Sequence, residues 1–186
     1  QHIRFAEVDL GRAPPPLEPY DRLTSRFGLM FFDDPPEAFA RLRRWLAPGG
    51  RFAFAVWGPV ADNAWATSVR DAVGARVTLP VPIPGAPGPF RYGDVDALLA
   101  LLGDAGFFEL QATDWRGPLP MGSATTPRDA ARFALRAFAA MAGALAEAGD
   151  TVRGEVERDL ADGWTTHLRD GRVQLAARVH LVTGSG

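Results

Sequence analysis

The residues able to do chemistry are few and scattered. His2, His167 and His180 are the only histidines, and none stands at metal-ligand spacing from another histidine or from an acid. Cysteine is absent, which excludes disulfides and thiolate metal sites. His167 could serve as a base, although an exposed helix histidine accounts for it as well; His180, in an apolar run, reads as structural. The remaining candidates sit at the ends of apolar runs. Ser25, Arg26 and Phe27 lie toward the C-terminal end of a predicted strand, the edge at which open α/β sheets bind ligands. Arg26 could hold a carboxylate or orient a substrate there; the alternative is a surface salt bridge. Phe27 is either core or a pocket wall. Trp57, Asn63 and Trp65 follow the next strand and could wall a pocket, with packing under a loop as the alternative for each tryptophan. Asp9 closes the first apolar run, where a turn-forming aspartate would also stand. Asp33, Asp34 and Asp94 precede helical patterns and read as caps.

Positioning these residues falls first to the stretch Tyr20–Trp57, read as strand, helix, strand. Aromatic and branched residues suit a strand over Tyr20–Met30. Asp33-Asp34-Pro35-Pro36 stops it and starts a helix over Pro36–Leu46, since an aspartate caps and proline is tolerated in the first turn. Phe39, Leu42, Trp45 and Leu46 share one helical face. Pro48-Gly49-Gly50 is expected to end the helix. Arg51–Trp57 is near-continuously apolar, as in a strand covered on both faces. The unit predicts a parallel pair with a right-handed crossover.

His2–Asp9 alternates as a strand, and Gly11–Pro19 is a stiff proline-rich loop. Ala64–Val73 is a short helix, and Thr78–Pro89, with five prolines, is a loop. Val95–Ala105 is a helix and Phe107–Trp115 a strand. Two helices, Pro127–Ala148 with Ala134, Phe138, Met141 and Leu145 on one stripe, and Thr151–Leu168, precede a last strand over Arg172–Thr183. Phe31 and Phe32 read as core. The fold class is α/β, an open sheet with a helical insert at 127–168 before its last strand.

At 186 residues the chain can bury a real core. Its formal charge of -2 and pI near 5.9 give no basic footprint, which argues against nucleic acid. All 20 basic residues are arginine, read as coding bias. No apolar run is long enough to span a bilayer, and the expected compartment is the cytoplasm.

Ser25-Arg26-Phe27-Gly28-Leu29-Met30-Phe31-Phe32, then Leu46-Ala47-Pro48-Gly49-Gly50-Arg51, carry a family resemblance. Asn63-Ala64-Trp65, Ala105-Gly106-Phe107 and the closing Val179–Gly184 extend it. The chain resembles the class I S-adenosylmethionine-dependent methyltransferases, in the branch near the ubiquinone and menaquinone-biosynthesis enzymes. The resemblance implies a partial Rossmann-like methyltransferase sheet running from the family's third strand onward. It implies S-adenosylmethionine as cofactor and transfer of a methyl group to a small apolar molecule. Asp9 would accept a hydrogen bond from the adenine amino group with Leu10 beside the ring. Ser25, Arg26 and Phe27 would face the cofactor, Phe27 near the sulfonium through cation–π attraction. Trp57, Asn63 and Trp65 would bind the acceptor. Methyl transfer from a sulfonium needs orientation and water exclusion more than covalent help, so a missing catalytic constellation does not weigh against it. The insert would cap the acceptor pocket or form a homodimer contact.

One departure is large. The family's glycine-rich loop, D/E-x-G-x-G-x-G, does not occur near the start of this sequence. If His2–Asp9 is the third strand, two strands that belong between it and Tyr20–Met30 are missing, a gap of roughly 14 Å at ~4.8 Å per strand spacing. The expectation is therefore one methyltransferase domain, N-terminally truncated, inactive by itself. The competing expectation is a non-catalytic α/β module that acts by association. A nicotinamide oxidoreductase shares the layered fold but lacks support, because its fingerprint loop is absent too.

Overall fold

The computed structural model describes residues 5–137 and 139–186, the side chains of 139 and 140 excepted. Among the described residues five strands, β1 (Tyr20–Arg26), β2 (Leu46–Trp57), β3 (Phe108–Pro120), β4 (Leu168–Arg169) and β5 (Arg172–Ser185), are interspersed with six helices. These are α1 (Pro35–Arg43), α2 (Ala64–Gly74), α3 (Val95–Asp104), α4 (Pro127–Ala137), α5 (Ala139–Ala148) and α6 (Asp150–Trp164). The strand order is β1-β2-β5-β3, with β4 pairing β5. The fold is mixed α/β, as the patterning predicts. The chain divides into two compact units. One comprises the chain up to Gly58 with Pro84–Trp115 and Val179–Gly186; the other comprises Pro59–Ile83 and Arg116–Arg178.

In the first unit β1 and β2 run parallel, with Leu23 opposite Phe52 and Arg26 opposite Ala55. Helix α1 joins them, capped by Asp34, whose carboxylate accepts from the Glu37 backbone N–H at 3.2 Å. Asp94 caps α3 in the same way, accepting from Asp96 and Ala97. Phe39 and Leu42 of α1, Leu98 and Leu102 of α3, and Phe52, Phe54 and Val56 of β2 form the core with Tyr92 and Phe107. The aromatic members meet edge-on or tilted, as their quadrupoles prefer; Phe52 and Phe107 lie 4.9 Å apart at 67°.

Several expectations need correction here. Residues 5–9 form no strand; a strand needs a ladder partner, and these residues have none among the described residues, Phe5 being 94% exposed. Residues 2–4 of that predicted strand lie outside the described residues. Pro48-Gly49-Gly50 does not end the helix, which stops at Arg43; it lies inside β2, where Gly49 takes φ +75° and Gly50 comes so close to Tyr20 that a Cβ would lie 3.1 Å from its carbonyl oxygen. Strand β2 is not covered on both faces. Phe52, Phe54 and Val56 are buried by helices α1 and α3, whereas on the alternate positions Arg51 and Ala53 are exposed and Ala55 is half-buried. Strand β1 stops at Arg26 instead of reaching Met30, since Phe27 turns to positive φ and Leu29–Phe31 makes a short 3₁₀ turn. That turn leaves Phe31 53% exposed and outside the core. Strand β5 extends to Ser185 and runs antiparallel to β2, so the sheet is mixed.

The second unit is helical apart from its strand segments. Alpha-helices α4, α5 and α6 pack on one another, and α2 packs on α6. Ala130, Ala134, Leu145, Val156, Leu160 and Trp164 are buried there. Thr126 caps α4, its hydroxyl accepting from the Asp129 backbone N–H at 3.1 Å. Gly149, at φ +90°, separates α5 from α6. Phe138, part of the predicted apolar stripe, lies outside the described residues. The hairpin β4–β5 turns on Asp170-Gly171, both at positive φ, the pairing that two-residue turns favour.

Candidate functional site

The C-terminal end of β1 holds the clearest local anomaly. Phe27, not a glycine, sits at φ +60°, which costs a side-chain-bearing residue about 1–2 kcal/mol. Its backbone N–H extends the ladder to the Ala55 carbonyl at 2.9 Å, and its ring stacks on Trp57 at the end of β2. The centroids are 4.2 Å apart and the planes 11° from parallel. Both rings are half-buried. Gly28 follows at close quarters, since a Cβ there would lie 3.3 Å from Ser25 Oγ. The turn beyond is pinned from outside: the Gly88 N–H donates to the Met30 carbonyl at 3.0 Å, and Arg91 donates to the Phe32 carbonyl. Two parallel strands thus present Ser25, Arg26 and an aromatic pair at their C-terminal edge. Sequence spacing placed Phe27 and Trp57 on two separate strand ends; the parallel register brings them into contact.

Asp9 and Leu10 occupy a turn of their own. The Asp9 carboxylate accepts from the Gly11 N–H at 2.9 Å, and its carbonyl accepts from Arg12 and Ala13. No hydrogen bond or ring contact among the described residues joins Asp9 or Leu10 to Ser25, Arg26 or Phe27.

In the second unit Asn63 is fully buried. Its amide donates to the Pro59 carbonyl at 2.8 Å and accepts from Trp65 Nε1 and the Arg178 backbone N–H, each at 3.1 Å. Trp65 is buried beside it. Next along the chain, Asp62 accepts from Arg178 at 2.7 Å and lies 3.4 Å from Arg116. The Arg178 hydrogen bond, with help from Arg116, holds the Asp62 carboxyl below the usual aspartate range. This network was missed from sequence, since nothing local ties Asp62 to Arg178. It borders an open cleft of about 580 Å³ whose other walls include Ala64, Gly117 and Ala177. A second cavity of about 240 Å³ lies between α2, α6 and Leu175.

His180 is buried in the first unit, with Nδ1 2.7 Å from Asp114 Oδ1 and Nε2 3.1 Å from the Gly93 carbonyl. It ties β5 to β3 and to the start of α3, in keeping with a structural role. Among the described residues no group of His, Asp and Glu could hold a metal ion, and no helix is long and apolar enough to cross a membrane.

Residues 1–54 match a protein-family model described as a methyltransferase domain. No curated protein matches the chain. Among solved structures, the chain is similar to a candidate methyltransferase from Bacillus halodurans C-125, at 16% identity and a TM-score of 0.53, over 96% of this chain and 69% of that one. It is likewise similar to the YcgJ protein from Bacillus subtilis, at 16% identity and a TM-score of 0.55, over 100% of this chain and 71% of that one. The fold is therefore the Rossmann-like fold of those structures, and its opening residues match a methyltransferase domain.

Proposed function

We propose that the chain serves S-adenosylmethionine-dependent methyl transfer to a small apolar molecule, in the class I manner and near the ubiquinone and menaquinone-biosynthesis branch. The observation that carries the proposal is the stacked Phe27–Trp57 pair at the C-terminal edge of two parallel strands. A backbone held at positive φ to present a ring at a ligand-binding edge is a cost that function explains better than packing does. When bound, the cofactor supplies an electrophilic methyl group on a sulfonium. The aromatic faces of Phe27 and Trp57 attract that cation and exclude water from it. Ser25 and Arg26 orient the cofactor's polar end, and Asp9 with Leu10 takes its adenine. Trp57 lines the acceptor side.

Residues 1–186 carry no glycine-rich loop near their start. Affinity then rests on the aromatic pair and a few polar groups, and cation–π attraction contributes up to about 2 kcal/mol. Binding in the millimolar range follows, with no measurable heat in a micromolar titration. The test is photolabelling with methyl-tritiated S-adenosylmethionine at millimolar concentration, mapped by peptide mass spectrometry. Label is expected within residues 20–32 and 54–58 and is expected to disappear in Phe27→Gly. Labelling confined to other segments, or unchanged in Phe27→Gly, would overturn the proposal. No labelling at all would favour a non-catalytic module that acts by association.

A further inference from the structure

In the first unit one face of the sheet lies bare. Strand alternation sends Phe52, Phe54 and Val56 of β2 into the core, which leaves Arg51, Ala53 and Ala55 on the opposite side. The register carries that side to both neighbouring strands. Arg22, Thr24 and Arg26 of β1 lie beside Arg51, Ala53 and Ala55, and Ser185, Thr183 and Leu181 of β5 lie beside the same residues in turn. Arg22, Thr24, Arg26, Arg51, Ala53 and Leu181 are exposed. Strands β1 and β2 pair in parallel, and parallel strands almost always carry helices on both faces. Among the described residues, helices α1 and α3 cover one of the two.

The charge on this face is unlike that of the chain. The formal net charge is -2, yet three arginines and no acid stand at these register positions. Arg22, Arg26 and Arg51 form no salt bridge among the described residues. Arg22 donates to the carbonyl of its neighbour Asp21 at 2.8 Å. Glu109 reaches the rim from β3 and accepts from the Ser185 hydroxyl at 2.9 Å. Arg26, at the C-terminal end of β1, belongs to the candidate site. Arg22 and Arg51 stand at the other end of the face, on adjacent strands ~4.8 Å apart, and the small Thr24, Ala53 and Thr183 form the floor next to them. We propose that this face docks an amphipathic helix of a second protein, with apolar residues along the line that meets Thr24, Ala53 and Thr183 and carboxylates that meet Arg22 and Arg51. The parallel pairing selects a helix as the occupant, and arginines without an acid partner select its acidic flank. A second copy using the same face would set arginine against arginine, because a two-fold contact lays one patch on itself. The inference does not depend on the methyl-transfer proposal.

The test is fluorescence anisotropy of a labelled helical peptide titrated with the whole chain at low salt. The peptide is built from alanine, leucine and glutamate, with its leucines on one face, and a twin carries lysine in place of glutamate. Saturable binding of the acidic peptide is expected at sub-millimolar chain, about ten-fold tighter than that of the lysine twin. The double variant Arg22→Glu, Arg51→Glu should reverse the order, so that the lysine twin binds more tightly. The double variant Arg136→Glu, Arg158→Glu changes the net charge by the same amount at exposed positions of the second unit and should keep the wild-type order. The comparison of the twins on the wild-type chain stands by itself if a variant fails to fold. No saturation by the acidic peptide at millimolar chain, or equal affinities for the twins, would overturn the inference. So would an unchanged order in Arg22→Glu, Arg51→Glu, or a reversal in the second-unit variant as well. Sedimentation of the chain alone as a dimer that Arg22→Glu, Arg51→Glu dissolves would give the face to a second copy and overturn it too.

Discussion

Replacing Asn63 with alanine should be among the most damaging single changes to the second unit. The side chain is fully buried, and its amide bonds to the Pro59 carbonyl at 2.8 Å, Trp65 Nε1 at 3.1 Å and the Arg178 N–H at 3.1 Å. Truncation leaves those groups behind. An orphaned buried polar group costs about 1–3 kcal/mol. The Pro59 carbonyl and the Arg178 N–H are in partly buried bonds that water can in part repair, whereas the Trp65 indole is in a buried one. A loss of about 3 kcal/mol is expected, measured by urea unfolding followed through tryptophan fluorescence, with the slope on denaturant unchanged. Asn63→Asp sharpens the test. It keeps both acceptor bonds but turns a carboxylate toward the Pro59 carbonyl. Burial favours the neutral form of that carboxyl, so its folded pKa rises above its unfolded one. The deficit relative to wild type should therefore be greatest at neutral pH and shrink as pH falls, when the protonated group can donate to Pro59. A loss under about 1 kcal/mol in Asn63→Ala, or a deficit in Asn63→Asp that grows on acidification, would refute this account.

Three further substitutions probe buried and charged groups elsewhere in the chain. The Tyr92 hydroxyl is buried with no hydrogen-bond partner among the described residues, and burial pushes its pKa up; Tyr92→Phe should stabilise the chain by about 1 kcal/mol in the same unfolding assay. A Cβ on Gly184 would lie 2.7 Å from the Phe52 ring and 2.9 Å from the Phe108 carbonyl, so Gly184→Ala should cost about 2 kcal/mol by overpacking. Burial pushes the Glu157 carboxyl up, but hydrogen bonds from Arg128 and Arg132, at 2.7 and 3.0 Å, outweigh it and hold the group below its usual value of 4.5. A depressed folded pKa gives stability that is present above 4.5 and lost as pH falls below it. Thermal melts of Glu157→Gln should therefore show a shallower loss of stability below that pH than the wild type.

Much of the local structure is legible in the chain itself. Asp34-Pro35, Asp94 and Thr126-Pro127 announce helix starts because a cap is satisfied by residues two or three positions away. Apolar spacing announces α1, α3 and α6 because a helix face repeats within the same short span. The same locality makes the β1–α1–β2 unit readable, with its parallel pairing. Reading fails where the deciding partner lies elsewhere. Residues 5–9 have strand-like alternation and no ladder, since a strand is completed only by a neighbour. Runs of apolar residues in β2 do not reveal that only one face is covered, because Ala53 and Ala55 look the same on an open face as under a helix. Of the candidate site, the residue types were visible but not their arrangement. Phe27 and Trp57 stack because the β1–β2 register aligns the two strand ends, and Phe27 alone does not disclose its positive φ. Asn63 reads as a candidate pocket wall after a strand, and only the fold buries it against Arg178. Hydrogen bonds and ring contacts between distant residues depend on register and layer order, which chain-local rules do not encode; those were decided by the tertiary structure alone.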